Sequence, residues 1–190
     1  MWAFIWSQVG LWCGWGGHTS QNDLVALAER WHRFYGWGGV GVRFIPTRRL
    51  QPMIYWEGGQ FISQDRNKRA FSRTRWGAVG IGLRLRFLRK GFSPILETTL
   101  GRLTASPRTM EGRPITGSPA SLSANFLGWG AGISWRLNEW VELGLLYLRR
   151  RPQTSALEGI SGPARDRLEG FMGQLTLLLG EKSESSSRFQ

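Results

Sequence analysis

The 190-residue sequence has no apolar run approaching the roughly 18 residues that a membrane-spanning helix needs, which excludes a helix of that kind. Its single cysteine, Cys13, cannot form an internal disulfide bond. The two histidines, His18 and His32, and this cysteine have no spacing typical of a metal site. We therefore expect neither a metal ion nor another cofactor.

Acidic residues and lysine are also scarce. Asp and Glu number 13 against 25 Lys and Arg, which gives a net charge of +12, and nearly all of the cations are arginine. Such an excess indicates an anionic partner, either nucleic acid or the phosphates of a membrane surface. The N-terminal stretch MWAFIWSQVG has neither a basic segment nor a cleavage site, so we predict that it belongs to a strand and is not a signal peptide.

Glycine and tryptophan are abundant, with 26 and 11 residues, and they alternate in the stretch NFLGWGAGISWR. Every second residue from Leu127 to Trp135 is apolar, and the residues between them are Gly or Ser. A period of two predicts a β-strand with different surroundings on its two faces. Similar periods predict eight strands: 4–17, 34–45, 51–63, 75–88, 93–104, 124–136, 139–150 and 170–179. Most of them reach the roughly 9 to 11 residues with which a tilted strand crosses a bilayer.

Short and long connections alternate between these strands. The short ones are 46–50, 89–91 and 137–139, and the long ones are 18–33, 64–74, 105–123 and 151–169. This alternation is typical of bacterial outer-membrane barrels, with short periplasmic turns and long extracellular loops. Residues 1–180 are therefore predicted to form an all-β, eight-stranded, antiparallel up-and-down transmembrane barrel in the outer membrane, with both termini in the periplasm. One or two helical turns are expected near 22–31, and a polar, disordered tail at 181–190.

One face of each predicted strand is apolar, and the other carries glycine and isolated charges. We expect the apolar face to point to lipid, with Trp76, Trp135 and Trp140 in an interfacial girdle. Because a buried charge is costly unless it is paired, we expect ion pairs inside the barrel. The candidates are Arg43, Glu57, Arg84, Arg86, Glu97, Arg136 and Glu142. The alternative is a soluble barrel, which would place the apolar face inside and the arginines outside.

Three segments resemble the lipid A 3-O-deacylases, eight-stranded outer-membrane barrels that hydrolyse a fatty-acyl ester of lipid A. They are SPILETTLGRL, NFLGWGAGISWRLNEWVELGLLY and the final strand. The family follows its seventh strand with His-x-Ser-Asn and opens its eighth with Glu, which implies a serine nucleophile, a histidine base and an orienting glutamate. Aligned on Tyr147, the histidine position is Arg149, the serine position is Arg151, and the glutamate position is Glu169.

Arginine stays protonated and offers no nucleophile, so the resemblance implies weak or absent hydrolysis. It also implies lipid A or lipopolysaccharide as the partner. The arginines expected to bind its phosphates are Arg66, Arg69, Arg73, Arg149, Arg150 and Arg151. An active hydrolase that uses His18 and Ser20, and a purely structural barrel, remain alternatives. Nucleic-acid binding is disfavoured because it does not explain why aromatic residues and glycines segregate by strand face. The oligomeric state stays open.

Overall fold

The computed structural model describes residues 9–21, 35–45, 49–64, 70–88, 91–116, 120–154 and 167–180. These residues form eight strands that pair in chain order, and β1 also pairs with β8, so the sheet closes into an antiparallel barrel. The strands are β1 (Val9–Gln21), β2 (Tyr35–Phe44), β3 (Leu50–Gln64), β4 (Ala70–Arg86), β5 (Phe92–Thr109), β6 (Leu122–Arg136), β7 (Val141–Pro152) and β8 (Arg167–Leu179).

The barrel has two ends, which we name by their connections. The turn end carries the connections 45–49, 87–91 and 137–140, together with the start of β1 and the end of β8. The loop end carries the connections 22–34, 65–69, 110–121 and 153–166. No helix among the described residues is long and apolar enough to cross a membrane.

The predicted eight-stranded antiparallel barrel is confirmed, but all four predicted long connections are too long, most clearly 64–74 and 105–123. β3 and β4 remain paired as far as Gln64 and Ala70, and β5 continues to Thr109, so most of 64–74 and part of 105–123 are strand. The inward side chains of Ser72 and Thr74 are buried, whereas Arg73 between them faces outward. The polar residues at these strand ends were interpreted as loop residues, because the strands extend beyond the apolar part of the outer wall. The predicted helical turns at 22–31 and the tail at 181–190 lie outside the described residues.

The outer wall is apolar over the middle of the barrel. Leu127, Ile133 and Val79 are 61%, 49% and 56% exposed, whereas the alternate residues Ser134 and Ala78 are buried. The predicted orientation of the strand faces is therefore confirmed, and the soluble barrel with its apolar face inside is wrong. Phe92 and Trp135 stack on this outer wall near the turn end, with ring centroids 4.9 Å apart.

The interior contains apolar side chains at its loop end, in addition to the glycines and ion pairs. This loop-end apolar cluster consists of Trp37, Phe61, Trp76, Leu103, Ala105, Phe126 and Leu168, all at most 5% exposed. Trp37 and Trp76 meet edge to face with ring centroids 5.8 Å apart. Trp76 therefore lies inside the barrel, and its predicted place in an outer girdle is wrong. Its position in β4 has the inward parity of Ala78 and Thr74, which overrides the preference of tryptophan for interfaces.

Gly128 shows why the inner wall needs glycine. A Cβ atom at this position would lie 2.5 Å from Thr99 Oγ1 and 2.7 Å from Arg150 Cδ. The absent side chain provides the space in which Arg150 crosses the lumen. An eight-stranded barrel is only wide enough for its own side chains, so each long inward arginine requires a bare wall beside it.

We expect Gly128→Ala to lower the free energy of unfolding by about 1 to 3 kcal/mol, because the added methyl group overpacks the lumen against Arg150. Unfolding in urea, followed by tryptophan fluorescence in lipid vesicles, measures the change. Gly36→Ala is the matched control, since a Cβ atom there has nothing within 4 Å. Equal stabilities of the two variants would contradict this account of Gly128.

Candidate functional site

Four arginines and three glutamates lie inside the barrel, in contact with one another. This interior ion network contains Arg43, Arg84, Arg86, Arg150, Glu57, Glu97 and Glu142, each at most 5% exposed. Its members come from β2, β3, β4, β5 and β7, so the pairs join strands that lie far apart in the chain. Six of the seven residues predicted for interior ion pairs are present, and Arg150 is the addition.

Glu142 lies at the turn-end side of the network and is shared by three arginines. Its Oε1 accepts a hydrogen bond from Arg43 Nη1 at 3.1 Å, and the same oxygen lies 4.0 Å from Arg84 Nη1. Its Oε2 lies 3.7 Å from Arg86 Nε. Arg136, the remaining predicted member, is half-buried and lies directly opposite Glu142 in the β6–β7 register. One carboxylate therefore offsets much of the positive charge at this level of the lumen.

Glu57 and Glu97 hold the other side of the network. Arg150 donates two hydrogen bonds to Glu57, Nε to Oε1 at 2.8 Å and Nη2 to Oε2 at 3.2 Å. Arg150 Nη2 also lies 3.8 Å from Glu97, whose Oε2 accepts a 2.8 Å hydrogen bond from Arg84. The bidentate geometry suits the planar guanidinium and strengthens the pair.

Gln174 connects the two sides of the network. Its Oε1 accepts from Arg84 Nη2 at 2.6 Å and from Arg43 Nη2 at 2.9 Å. A neutral amide thus lies between two positively charged guanidinium groups, in a position that would also suit a fourth carboxylate. The sequence pattern did not single out Gln174, because an amide in a strand carries no charge to mark it.

Arg150 was expected to bind lipid A phosphates, and the structure corrects this. Its side chain is 2% exposed and lies inside the barrel over the rings of Trp37 and Tyr55, with its guanidinium carbon 5.7 and 5.6 Å from their centroids. Strand parity is the physical reason: Arg149 and Arg151 face outward, so the residue between them faces inward. Arg150 is a structural residue of the lumen.

The three positions that correspond to the deacylase triad lie on the outer wall near the loop end. Arg149 is directly opposite Glu169 in the β7–β8 register, and its Nε lies 3.5 Å from Glu169 Oε2. Arg151 is exposed. Aromatic rings border the pair on the turn-end side, where Tyr147 lies 5.4 Å from Phe171 between ring centroids. The position of the base is therefore a cation paired with the glutamate, and the arrangement contains no nucleophile.

His18 and Ser20, the alternative catalytic residues, are in the register of β1 with β8. Their backbone partners are Gly170 and Leu168, whereas the partner of Glu169 is Thr19. His32 lies outside the described residues. No group of three or more His, Cys, Asp or Glu in the described ranges could hold a metal ion.

Outward-facing arginines on the described strands lie only at the loop end. They are Arg73 and Arg75 of β4, Arg102 and Arg108 of β5, Arg149 and Arg151 of β7, and Arg167 of β8. Arg102 and Arg108 were not among the predicted phosphate-binding residues, because Arg102 falls in a predicted strand and Arg108 in a predicted loop. Arg66 and Arg69 lie outside the described residues.

The arginines of β4 and β5 form a basic surface with little compensation. Arg73 lies directly opposite Arg108, and no ion pair joins Arg73, Arg75, Arg102 or Arg108 to a carboxylate of the described residues. Like charges directly opposite on neighbouring strands repel. The nearby Glu111 is fully exposed, and hydrogen bonds from its own N–H and from the Thr109 hydroxyl lower its pKa. An anion would relieve the repulsion between the paired arginines.

No family model matches the sequence, and no curated protein matches it. Solved structures with the same fold are small outer-membrane barrels. Neisserial surface protein A, NspA, has a TM-score of 0.67 at 11% identity, over 89% of this chain and 96% of that one. Ail of Yersinia pestis, in complex with the heparin analogue sucrose octasulfate, has a TM-score of 0.58 at 11% identity, over 92% and 100%. OprG of Pseudomonas aeruginosa has a TM-score of 0.51 at 9% identity, over 92% and 97%. These similarities establish the fold, and none of them indicates a deacylase.

We expect Glu142→Gln to lower the free energy of unfolding by about 3 to 5 kcal/mol, because it leaves the buried Arg43, Arg84 and Arg86 without their shared carboxylate. Urea unfolding in vesicles measures this loss. Glu111→Gln makes the same chemical change at an exposed turn and should alter stability little. A Glu142→Gln protein as stable as the control would show that the network does not depend on this charge.

Proposed function

We propose that the protein is an integral barrel of the bacterial outer membrane that binds the phosphates of lipid A through arginines on its outer wall. In this orientation the loop end faces the outer leaflet. The start of β1 and the end of β8 then lie on the periplasmic side. Binding, and not hydrolysis, is the proposed activity.

The observation that carries the proposal is the one-sided distribution of outward arginines. The wall is apolar in the middle, as hydrocarbon requires, and on its own strand every outward arginine of the described residues lies on the loop-end side of the exposed large apolar residues. Phosphate groups of a lipid lie at the edge of such an apolar band. Guanidinium groups bind phosphate oxygens with paired hydrogen bonds, and they do so more strongly next to a low-dielectric surface.

The corresponding triad positions support binding over catalysis. Arginine is always charged and cannot remove a proton from a nucleophile. The Arg149–Glu169 pair occupies the place where a base and its orienting carboxylate would be needed. Arg151 is exposed beside this pair and is available to an anion.

A sulfated polyanion is the second candidate partner. Arg73 and Arg108 lie opposite each other on the part of β4 and β5 beyond the apolar band, where a soluble ligand can reach them. The similar barrel Ail was crystallised with a heparin analogue. Because the similarity establishes the fold alone, this candidate rests on the opposed arginines.

Replacing Arg73 and Arg151 together by Ala should weaken lipid A binding by tenfold or more, because each charged hydrogen bond contributes about 1.5 to 3 kcal/mol. Binding of purified lipid A to the barrel in detergent micelles measures the effect. Arg49→Ala is the matched control, since Arg49 is an exposed arginine at the turn end. Arg149→Ala should have a smaller effect, because Glu169 already pairs with that side chain. Unchanged lipid A affinity in the double variant would show that Arg73 and Arg151 do not contribute to binding, and absence of lipid A binding by the wild type would leave only a structural role. Tighter binding of sucrose octasulfate than of lipid A would favour the polyanion.

Incubation of the protein with purified lipid A should release no fatty acid above the level of a buffer blank, because no base or nucleophile is present at the triad positions. Mass spectrometry of the lipid measures deacylation. A release of fatty acid that disappears in His18→Ala would establish the alternative hydrolase and contradict the binding proposal.

A further inference from the structure

A depression of about 220 Å³ lies on the outer wall across β3, β4 and β5, away from the triad positions. The residues that line it are Trp56, Gly77, Ala78, Val79, Arg102 and Thr104. None of them belongs to the β7–β8 surface that corresponds to the deacylase site. The large outward side chains of Trp56 and Val79 border the depression.

Gly77 creates the depression. A Cβ atom built on Gly77 would have only Trp56 Nε1 and the Glu57 carbonyl oxygen within 4 Å, at 3.8 and 3.9 Å. The strand partners of Gly77 are Gly58 on β3 and Thr104 on β5, so three small residues follow one another across the sheet. The floor is backbone, and its rim is the indole of Trp56 on one side and Arg102 on the other.

The depression lies at the edge of the apolar band. On β4, Val79 and Ile81 below it are more than half exposed apolar residues, and the next outward residue above Gly77 is Arg75. On β5, Leu100 is the last large apolar residue, and Arg102 follows it in the outward series. Tryptophan in this position is typical of the boundary between hydrocarbon and head groups. A ligand here is in contact with hydrocarbon at one end and with guanidinium groups at the other.

Among the described residues, a single hydrogen bond holds Arg102 in place. Its Nε donates a 2.6 Å hydrogen bond to Ser123 Oγ, the hydroxyl of a residue on the neighbouring β6. Its Nη1 and Nη2 have no acceptor among the described residues. Arg75 has no ion-pair partner there either. Two positive groups thus flank a floor of small residues without a described carboxylate to neutralise them.

From this geometry we infer a lipid-binding site: the depression over Gly77 binds a phosphoglycolipid of the lipid A class, with an acyl chain against Trp56 and Val79 and a phosphate on Arg102. This inference rests on the proposed function and adds the place and the residues. The volume is too small for a whole lipid and suits the junction of one chain with its head group. Arg75 lies two residues from Gly77 on β4, toward the loop end, and binds the next anionic group of the same molecule.

The test compares the affinity of wild type and of three variants for purified lipid A in micelles, and for lipid A from which phosphatase has removed the phosphates. Gly77→Leu fills the depression without contacting the lumen, and we expect it to weaken binding about tenfold. Arg102→Ala should weaken binding of intact lipid A about tenfold and leave the dephosphorylated lipid unaffected. Gly173→Leu is the matched control, because Gly173 on β8 is outward-facing and a Cβ atom there has only the Trp15 carbonyl oxygen within 4 Å, at 3.7 Å. A heat-dependent gel shift establishes that each variant is a closed barrel.

The outcomes separate this inference from the function on which it rests. Failure of wild type to bind lipid A would overturn both. Binding by wild type with equal affinities for Gly77→Leu, Arg102→Ala and Gly173→Leu would overturn this site and leave lipid A binding to other arginines. A loss in Arg102→Ala without a loss in Gly77→Leu would also overturn it, because the arginine would then act without the depression. Should Arg102→Ala not fold, Arg102→Gln gives the same comparison.

Discussion

The structure depends on the pairing of buried arginine with buried glutamate inside a lumen that is too narrow for bulk water. An unpaired guanidinium in such surroundings would cost several kcal/mol, so the positions of Glu57, Glu97 and Glu142 follow from those of the arginines. Gly128 of the inner wall follows in turn, because the extended Arg150 side chain needs the space of an absent Cβ. Among the described residues, the interior ion network has one more arginine than glutamate, and Gln174 supplies the acceptor that joins its two sides.

The outer wall obeys a different constraint, because it meets two solvents along its height. Large apolar residues without charge are favoured in contact with hydrocarbon. Tryptophan and arginine are favoured in the head-group region. On β4 the change takes place over three outward positions, from Val79 through Gly77 to Arg75. The strands do not end where the apolar residues end. They continue as a paired ribbon whose outer face is polar while its inner face still packs against the loop-end apolar cluster.

Most of the fold could be predicted from the two-residue period, because in a membrane barrel the apolar residues stay on one face of each strand and the glycines and charges on the other. The loop ends of β1, β4 and β5 could not, since polar residues such as Ser20, Arg73 and Arg108 resemble loop residues in the sequence. Trp76 was misplaced because residue preference was weighted above parity, and Arg150 because three consecutive arginines were treated as one group. Among the site residues, Arg149, Arg151 and Glu169 were placed together by resemblance, and the register brings Arg149 and Glu169 opposite each other. The depression over Gly77 had no signal in the sequence, since it arises from small residues that meet only across neighbouring strands.

The filled interior also limits how the molecule can serve a cell. Trp37, Trp76 and their neighbours close the loop end of the lumen, and the ion network occupies the space beneath them. Buried side chains therefore occupy the axis of the part that the structure describes, from the ion network to the loop-end apolar cluster. We therefore expect any ligand to be bound by the outer wall or by the segments that join the strands, and not inside the barrel.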